Sequence, residues 1–266
     1  MNNRCFFFFP CNTLSVSLTG RSCEFSCPYC NGHFLRNMKT PGCEVPQGIT
    51  SLLISGGVDS RGVIPFDKFQ DMLAGYREKG IRINLHTGLV NSQSNIPHEN
   101  YADHISFDFT LDDDVITLTS GGRYTSDHYI ESLDLLKGSG IPITPHIMVG
   151  INRGEVVKEY EALKMLAAKG FDKIALLVFM PSDGTEWKNI SAPDVGDVGK
   201  VFAFSVNNFA EVTLGCMRPG GSYRDRLDME AYHCGIRRFV MPSRKLREFV
   251  SSNNIKVVEE YECCVF

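Results

Sequence analysis

Short β-rich runs alternate with amphipathic stretches along this chain, and that alternation restricts its fold more than any single residue does. The strand-like runs are residues 14–18, 51–55, 81–86, 104–109, 143–149, 173–179, 211–216 and 238–241. Helix-like stretches cover residues 66–79, 126–137, 155–169, 195–209 and 226–234, with one more over 243–251. Strands that alternate with helices predict βαβ units and a parallel sheet. Right-handed crossovers of about eight such units curl into an α/β fold of the TIM type, a (β/α) barrel, full or partial. An open doubly wound sheet is the alternative. Gly80, Gly140 and Gly170 each stand between a helix and the next strand, as helix-ending glycines do. No repeat, low-complexity segment or linker interrupts the 266 residues, so a single domain over 1–266 is expected. The N-terminal segment 1–13 and the C-terminal tail 254–266 fall outside the pattern and are free to cover the barrel mouth.

The 27 Lys and Arg against 31 Asp and Glu leave a formal charge of −4, too mild to favour nucleic acid or an anionic membrane as a partner. No apolar run approaches the roughly 20 residues of a membrane span. Phe6–Phe9 is shorter than the about 7–15 apolar residues of a signal peptide, and no small-residue cleavage site follows. A cytoplasmic location is expected. In that reducing compartment ten cysteines point to metal binding or chemistry rather than to disulfides.

Three of them, Cys23, Cys27 and Cys30, have the spacing C-x3-C-x2-C just after the first predicted strand. Three thiolates on one tight loop can hold three irons of a [4Fe–4S] cubane and leave the fourth iron open to a small molecule. A zinc knuckle is the competing reading, because Cys27 and Cys30 form a C-x-x-C half-site and His33 could add a ligand. Spacing alone leaves both readings open. Further along, His86, Asp108, His146 and Cys216 fall at or near the C-terminal ends of predicted strands, the barrel face on which active sites are built. For His86 and His146 the competing reading is a core histidine bonded to backbone. Asp108, between Phe107 and Phe109, should point opposite to both, where a carboxylate needs a polar partner. Arg218 could bind a carboxylate in a bidentate fork or form a rim salt bridge.

The cysteine motif, with the aromatic Tyr29 before its last cysteine, resembles the signature of the radical S-adenosylmethionine (SAM) superfamily. So does the run Ser55-Gly56-Gly57 after the second predicted strand. The resemblance implies a reducible [4Fe–4S] cluster, Tyr29 beside the SAM adenine, and Ser55, Gly56 and Gly57 around its methionine moiety. Bare glycine backbone suits so close an approach. The acidic residue usual after the glycines is Val58 here, with Asp59 one place later. In related enzymes a polar residue after the fifth strand contacts the SAM ribose; Glu159 occupies that region, and Glu155 and Glu161 compete for the role.

More narrowly, the chain is similar to the biotin-synthase-related group that includes the two-protein, archaeal-type lipoyl synthases. The matching stretches are Ser15-Val16-Ser17-Leu18-Thr19-Gly20, His86-Thr87-Gly88-Leu89, Pro145-His146-Ile147, Met180-Pro181 with Gly184-Thr185, and Leu214-Gly215-Cys216-Met217-Arg218-Pro219. Sulfur-inserting members carry a second iron–sulfur cluster as the sulfur source, and Cys5, Cys11 and Cys216 are the expected auxiliary ligands, with Cys43, Cys263 and Cys264 in reserve. Cys234 reads as a packed small hydrophobe. Thr213 stands where biotin synthase has its cluster-ligating arginine, which favours the lipoyl type. That type implies an octanoylated lipoyl-carrier protein or peptide as substrate. It also implies a second radical SAM protein of the same pathway and an electron donor such as ferredoxin or flavodoxin. The alternatives are a single-cluster radical SAM enzyme for another cofactor-building or rearrangement step, and a non-catalytic iron–sulfur or zinc protein.

On this reading, replacing Cys23, Cys27 or Cys30 with Ala removes a cluster ligand and should abolish SAM cleavage. The check is 5′-deoxyadenosine formed by anaerobically reconstituted variants; production at the wild-type rate by any one of them contradicts the motif assignment.

Overall fold

A computed structural model describes residues 4–25 and 27–266, so the first three residues of the expected N-terminal segment lie outside the described residues. In chain order the strands are β1 (Arg4–Phe8), β2 (Thr13–Ser17), β3 (Ser51–Ser55), β4 (Arg82–Thr87), β5 (His104–Asp108) and β6 (Ile143–Val149). They continue as β7 (Lys173–Val178), β8 (Glu211–Leu214), β9 (Arg238–Val240) and β10 (Lys256–Glu260). The helices are α1 (Gln70–Glu78), α2 (Asp113–Ser120), α3 (Ser126–Lys137), α4 (Glu159–Ala168), α5 (Val195–Asn208), α6 (Gly221–His233) and α7 (Arg244–Ser252). Every strand pairing within each unit described below is parallel. Parallel strands joined by helices give the α/β class of the partial TIM barrel, as the alternation in the sequence predicts.

The chain divides into two compact units. The first comprises the described residues up to Pro10, Pro145–Pro181 and Asn189–Cys264; the second comprises Cys11–Thr144, Ser182–Lys188 and Val265–Phe266. In the first unit the strand order is β10-β1-β9-β8-β7-β6. All of β7 but Lys173 is buried, which is the pattern of a parallel strand covered on both faces. The rest of the unit contributes Phe7, Phe202, Leu214, Phe239 and Leu246 to the core. In the second unit the order is β5-β4-β3-β2, with Leu52, Ile54, Ile83, Leu85 and Ile105 fully buried in the sheet and Leu73, Leu133 and Leu136 on the helices.

Side-chain caps set several helix starts. Asp112 accepts from the Val115 amide, Asp194 from those of Gly196 and Asp197, and Ser243 from that of Leu246. Each supplies an acceptor to backbone donors that the first turn leaves unpaired.

Eight strands lie where the pattern predicts them, with ends shifted by at most two residues. β1 and β10, which fall in the segments left as terminal extensions, are additional. In β1 the run Cys5-Phe6-Phe7-Phe8 has no polar alternation, and β10 has an exposed end and two half-buried valines, so neither carries a period-two signal. α2 was also not anticipated, although Asp112 before Val115-Ile116 is a legible cap.

Arg218 corrects an expectation. Its side chain is 0% exposed, with Nε donating to Asp228 Oδ1 at 2.8 Å and Nη2 to Asp228 Oδ2 at 3.2 Å. The remaining donors reach the carbonyls of Gly215, Val240 and Met241. Asp228 in turn accepts from the Ser243 amide at 2.7 Å. The guanidinium ties α6 to the loops after β8 and β9, leaving no fork for a ligand carboxylate; the rim salt bridge is equally excluded. Removing one partner of such a pair strands a buried charge. Asp228→Ala should therefore cost about 3–5 kcal/mol in a chemical denaturation, whereas breaking the exposed Lys200–Asp197 pair should leave the midpoint almost unchanged.

Candidate metal centre

The three motif cysteines lie on the loop that follows β2 in the second unit, and hydrogen bonds fold it back on the end of β3. Ser17 Oγ donates to the Gly20 carbonyl at 2.7 Å, closing the turn that leaves the strand. Thr19 Oγ1 donates to the Ser22 carbonyl at 3.0 Å and accepts from the Gly57 amide at 2.7 Å. The Glu24 amide donates to the Val58 carbonyl at 2.9 Å. Beyond Cys27, the amides of Cys30 and Asn31 both donate to its carbonyl at 3.0 Å.

Gly57 is the closest point of this contact. A Cβ there would stand 2.0 Å from Ser22 O and 2.5 Å from Cys23 Cβ, distances no packed structure tolerates. The bare backbone read from the sequence as a ligand seat is thus first the seat of the cysteine loop. Gly56 has slightly more room, its nearest neighbour being Thr19 Oγ1 at 3.1 Å. Ser55 Oγ donates across to the His86 carbonyl at 3.0 Å, tying β3 to β4. Asp59 is engaged with its own turn, accepting from the amides of Arg61 and Val63 and from the Arg61 guanidinium. Desolvation pushes its carboxyl up, but these bonds outweigh it and hold the pKa below the usual range.

The thiols act on one another. Burial pushes the Cys27 pKa up to about 12, aided by Cys30 and Cys23 and opposed by Tyr29. Cys30 is also raised, by burial first and by Cys23, against the amides of Phe34, Gly32 and His33. Such a group resists holding more than one negative charge unless a cation joins it, so metal loading and proton release are coupled. Three half-buried thiols on one strapped loop are a donor set that fits an iron–sulfur cluster.

Around them the second unit gathers further polar groups. Tyr29 packs against Trp187, centroids 6.0 Å apart at 43°. Its hydroxyl is held neutral by burial, then by Cys27, Tyr129 and Asp108. At the ends of β4 and β5, His86 Nε2 lies 3.2 Å from Asp108 Oδ1. The Asp108 side chain is 61% exposed, while Phe107 and Phe109 on either side of it are buried. Tyr129 on α3 was not anticipated: burial raises its pKa, and Cys27 and Asp108 follow as causes. A lone tyrosine on a helix carries no sequence signal for this.

Other expected site residues have structural surroundings of their own. Glu159 is 5% exposed, its Oε1 accepting from the Gly150 amide at 2.6 Å and Oε2 from the Val157 amide at 2.7 Å. It closes the loop between β6 and α4, so it is neither a ribose ligand nor a solvated helix-face residue. His146 lies within buried β6 of the first unit. Cys5 is 0% exposed in β1, where burial raises its thiol, and it packs as a core residue instead of crossing a barrel mouth as a ligand. Cys11 is exposed in the second unit and donates to Asn12 Oδ1. Cys216 is an exposed residue, yet its thiol is raised by desolvation and by Cys263; Cys263 also acts on Cys264, as does Cys216. The vicinal pair Cys263-Cys264, not Cys5 or Cys11, is what the first unit brings to Cys216.

No family model matches this sequence, and no curated protein matches it. Among solved structures the chain is similar to methylornithine synthase (PylB) at 13% identity, over 96% of this chain and 84% of that one, with a TM-score of 0.63. That likeness extends the fold assignment to nearly the whole chain. Native anSMEcpe with bound AdoMet is also similar, at 13% identity over 75% of this chain and 64% of that one, with a TM-score of 0.47.

Gly57→Val should lower iron uptake itself, because a branched side chain cannot coexist with Ser22 and Cys23. Iron and sulfide analysis with visible absorption checks this. A full complement with wild-type absorption would remove Gly57 as the seat of the loop.

Proposed function

We propose that this protein is a radical SAM enzyme in which Cys23, Cys27 and Cys30 hold a [4Fe–4S] cluster that binds SAM at its open iron. The observation that carries the reading is the group of three half-buried thiols on one loop, seated on the glycine pair at the end of β3. The TIM-type fold, shared with methylornithine synthase over most of the chain, supports it at the level of architecture. When bound, the cluster and SAM supply a 5′-deoxyadenosyl radical able to take hydrogen from an unactivated C–H bond. The chain's own residues hold and orient. Strapping of the cysteine loop fixes the thiolates, and the Tyr29–Trp187 pair shields one side from water. Tyr29 and Tyr129 stay protonated and offer hydroxyl donors beside the thiols. The exposed Asp108 carboxylate, with His86 Nε2 3.2 Å away, offers a polar group to a substrate.

The finer reading is sulfur insertion into an octanoyl chain on a lipoyl-carrier protein, with a ferredoxin- or flavodoxin-like donor and a second radical SAM protein of the pathway. It is supported by the resemblance of the sequence to two-protein lipoyl synthases and by Cys216, Cys263 and Cys264, which lie together and are suited to an auxiliary cluster. One observation favours a single-cluster enzyme for another cofactor-building or rearrangement step instead: Cys5 is core, so the expected auxiliary set loses a ligand.

Iron analysis separates the two. Two four-iron clusters give about eight irons per chain, of which about half remain in the triple variant lacking Cys23, Cys27 and Cys30. A double Cys216→Ser, Cys263→Ser variant should then lose sulfur insertion while still cleaving SAM. One cluster gives about four irons, none retained by the triple variant, and would overturn the lipoyl-type reading alone. Loaded protein that neither binds nor cleaves SAM would overturn both readings in favour of a non-catalytic metal protein.

A further inference from the structure

Gly184 and Thr185 belong to a stretch named in the sequence resemblance and used by no step above. In the structure they open a tight turn: Gly184 has φ +78°, and both the amide and the hydroxyl of Thr185 donate to the Ser182 carbonyl, at 3.2 and 2.6 Å. The turn delivers Trp187, 4% exposed and the protein's one tryptophan, to the cysteine loop within the second unit. Its amide donates to the Pro28 carbonyl at 3.1 Å, and its indole lies 6.0 Å from the Tyr29 ring. Asn31 Nδ2 donates back to the Gly184 carbonyl at 3.1 Å. All three contacts fall on the arc from Pro28 to Asn31, which contains Cys30 and starts directly after Cys27. The arc belongs to no regular helix or strand, so its geometry depends on what it is packed against.

We propose that Trp187 is a positioning residue for the metal centre, which clamps the Cys27–Cys30 arc so that both sulfurs keep their place when the cluster is bound. The proposal rests on the radical SAM reading and deepens it by naming a residue more than a hundred positions away in sequence that the cluster depends on. The indole is also a built-in reporter, since no other tryptophan contributes to emission.

The test uses full-length protein reconstituted anaerobically with iron and sulfide. Wild-type loading should quench Trp187 emission, because an absorbing cluster would form next to it. Trp187→Ala should release iron to a strong chelator about threefold to tenfold faster than wild type, the scale of one lost aromatic pair, and Trp187→Phe should recover most of the retention. Leu73→Ala, which opens the core beneath α1, should lower the Tm without faster release and so controls for general destabilisation. Release from Trp187→Ala at the wild-type rate, equal acceleration by Leu73→Ala, or loading without quenching would each overturn the clamp while leaving the radical SAM reading intact. Wild-type protein that takes up no iron would overturn both.

Discussion

The cysteine loop and the strand end beneath it approach so closely that no side chain fits between them. At Gly57 the backbone of Ser22 and Cys23 fills the space a Cβ would take, and three hydrogen bonds among Thr19, Ser22, Glu24, Gly57 and Val58 hold that approach. The parallel ladder of β2 and β3 makes the contact possible, since both strands end at the same level, Ser17 opposite Ser55. The buried sheet below supplies the stiffness. A loop held this way can present three thiols without the entropy cost of organising them each time a metal binds.

Electrostatics then sets the terms of occupancy. Half-buried thiols close to one another favour the protonated form when no cation is near, and burial raises both Cys27 and Cys30. The same closeness becomes favourable once positive charge arrives, because several thiolates then share one cation and protons leave. Tyr29 and Tyr129 fit this arrangement: as neutral hydroxyls they can solvate sulfur without adding another negative charge.

Much of this was legible in the sequence because the signals are local. Eight strands follow from hydrophobic runs punctuated by turn residues, and the cysteine loop follows from its spacing. What escaped depends on distant partners. Nothing local marks Arg218 as bound to Asp228, or Glu159 as bound to the Gly150 amide, and both look from sequence like ligand-binding residues near strand ends. β10 escaped for the opposite reason: an edge strand with solvent-facing glutamates shows no core-facing face. The pairing of Trp187 with Tyr29 spans most of the chain and leaves no trace in spacing at all.

Exposure is what separates the polar residues that build this fold from those available for chemistry. Arg218, Asp228 and Glu159 carry formal charges but are buried, and their oxygens and nitrogens are engaged by backbone and by each other. Satisfied buried charges of this kind fix loop geometry, and removing one partner is costly. Asp108 differs in its exposure: His86 Nε2 lies 3.2 Å from one of its oxygens, and 61% of the side chain faces solvent. An exposed carboxylate can be desolvated by whatever docks there, and its hydrogen-bonding strength then rises with the drop in local dielectric. The same residue types thus divide into buried scaffold and exposed groups by a quantity that the sequence does not encode locally, namely how far the tertiary fold covers them.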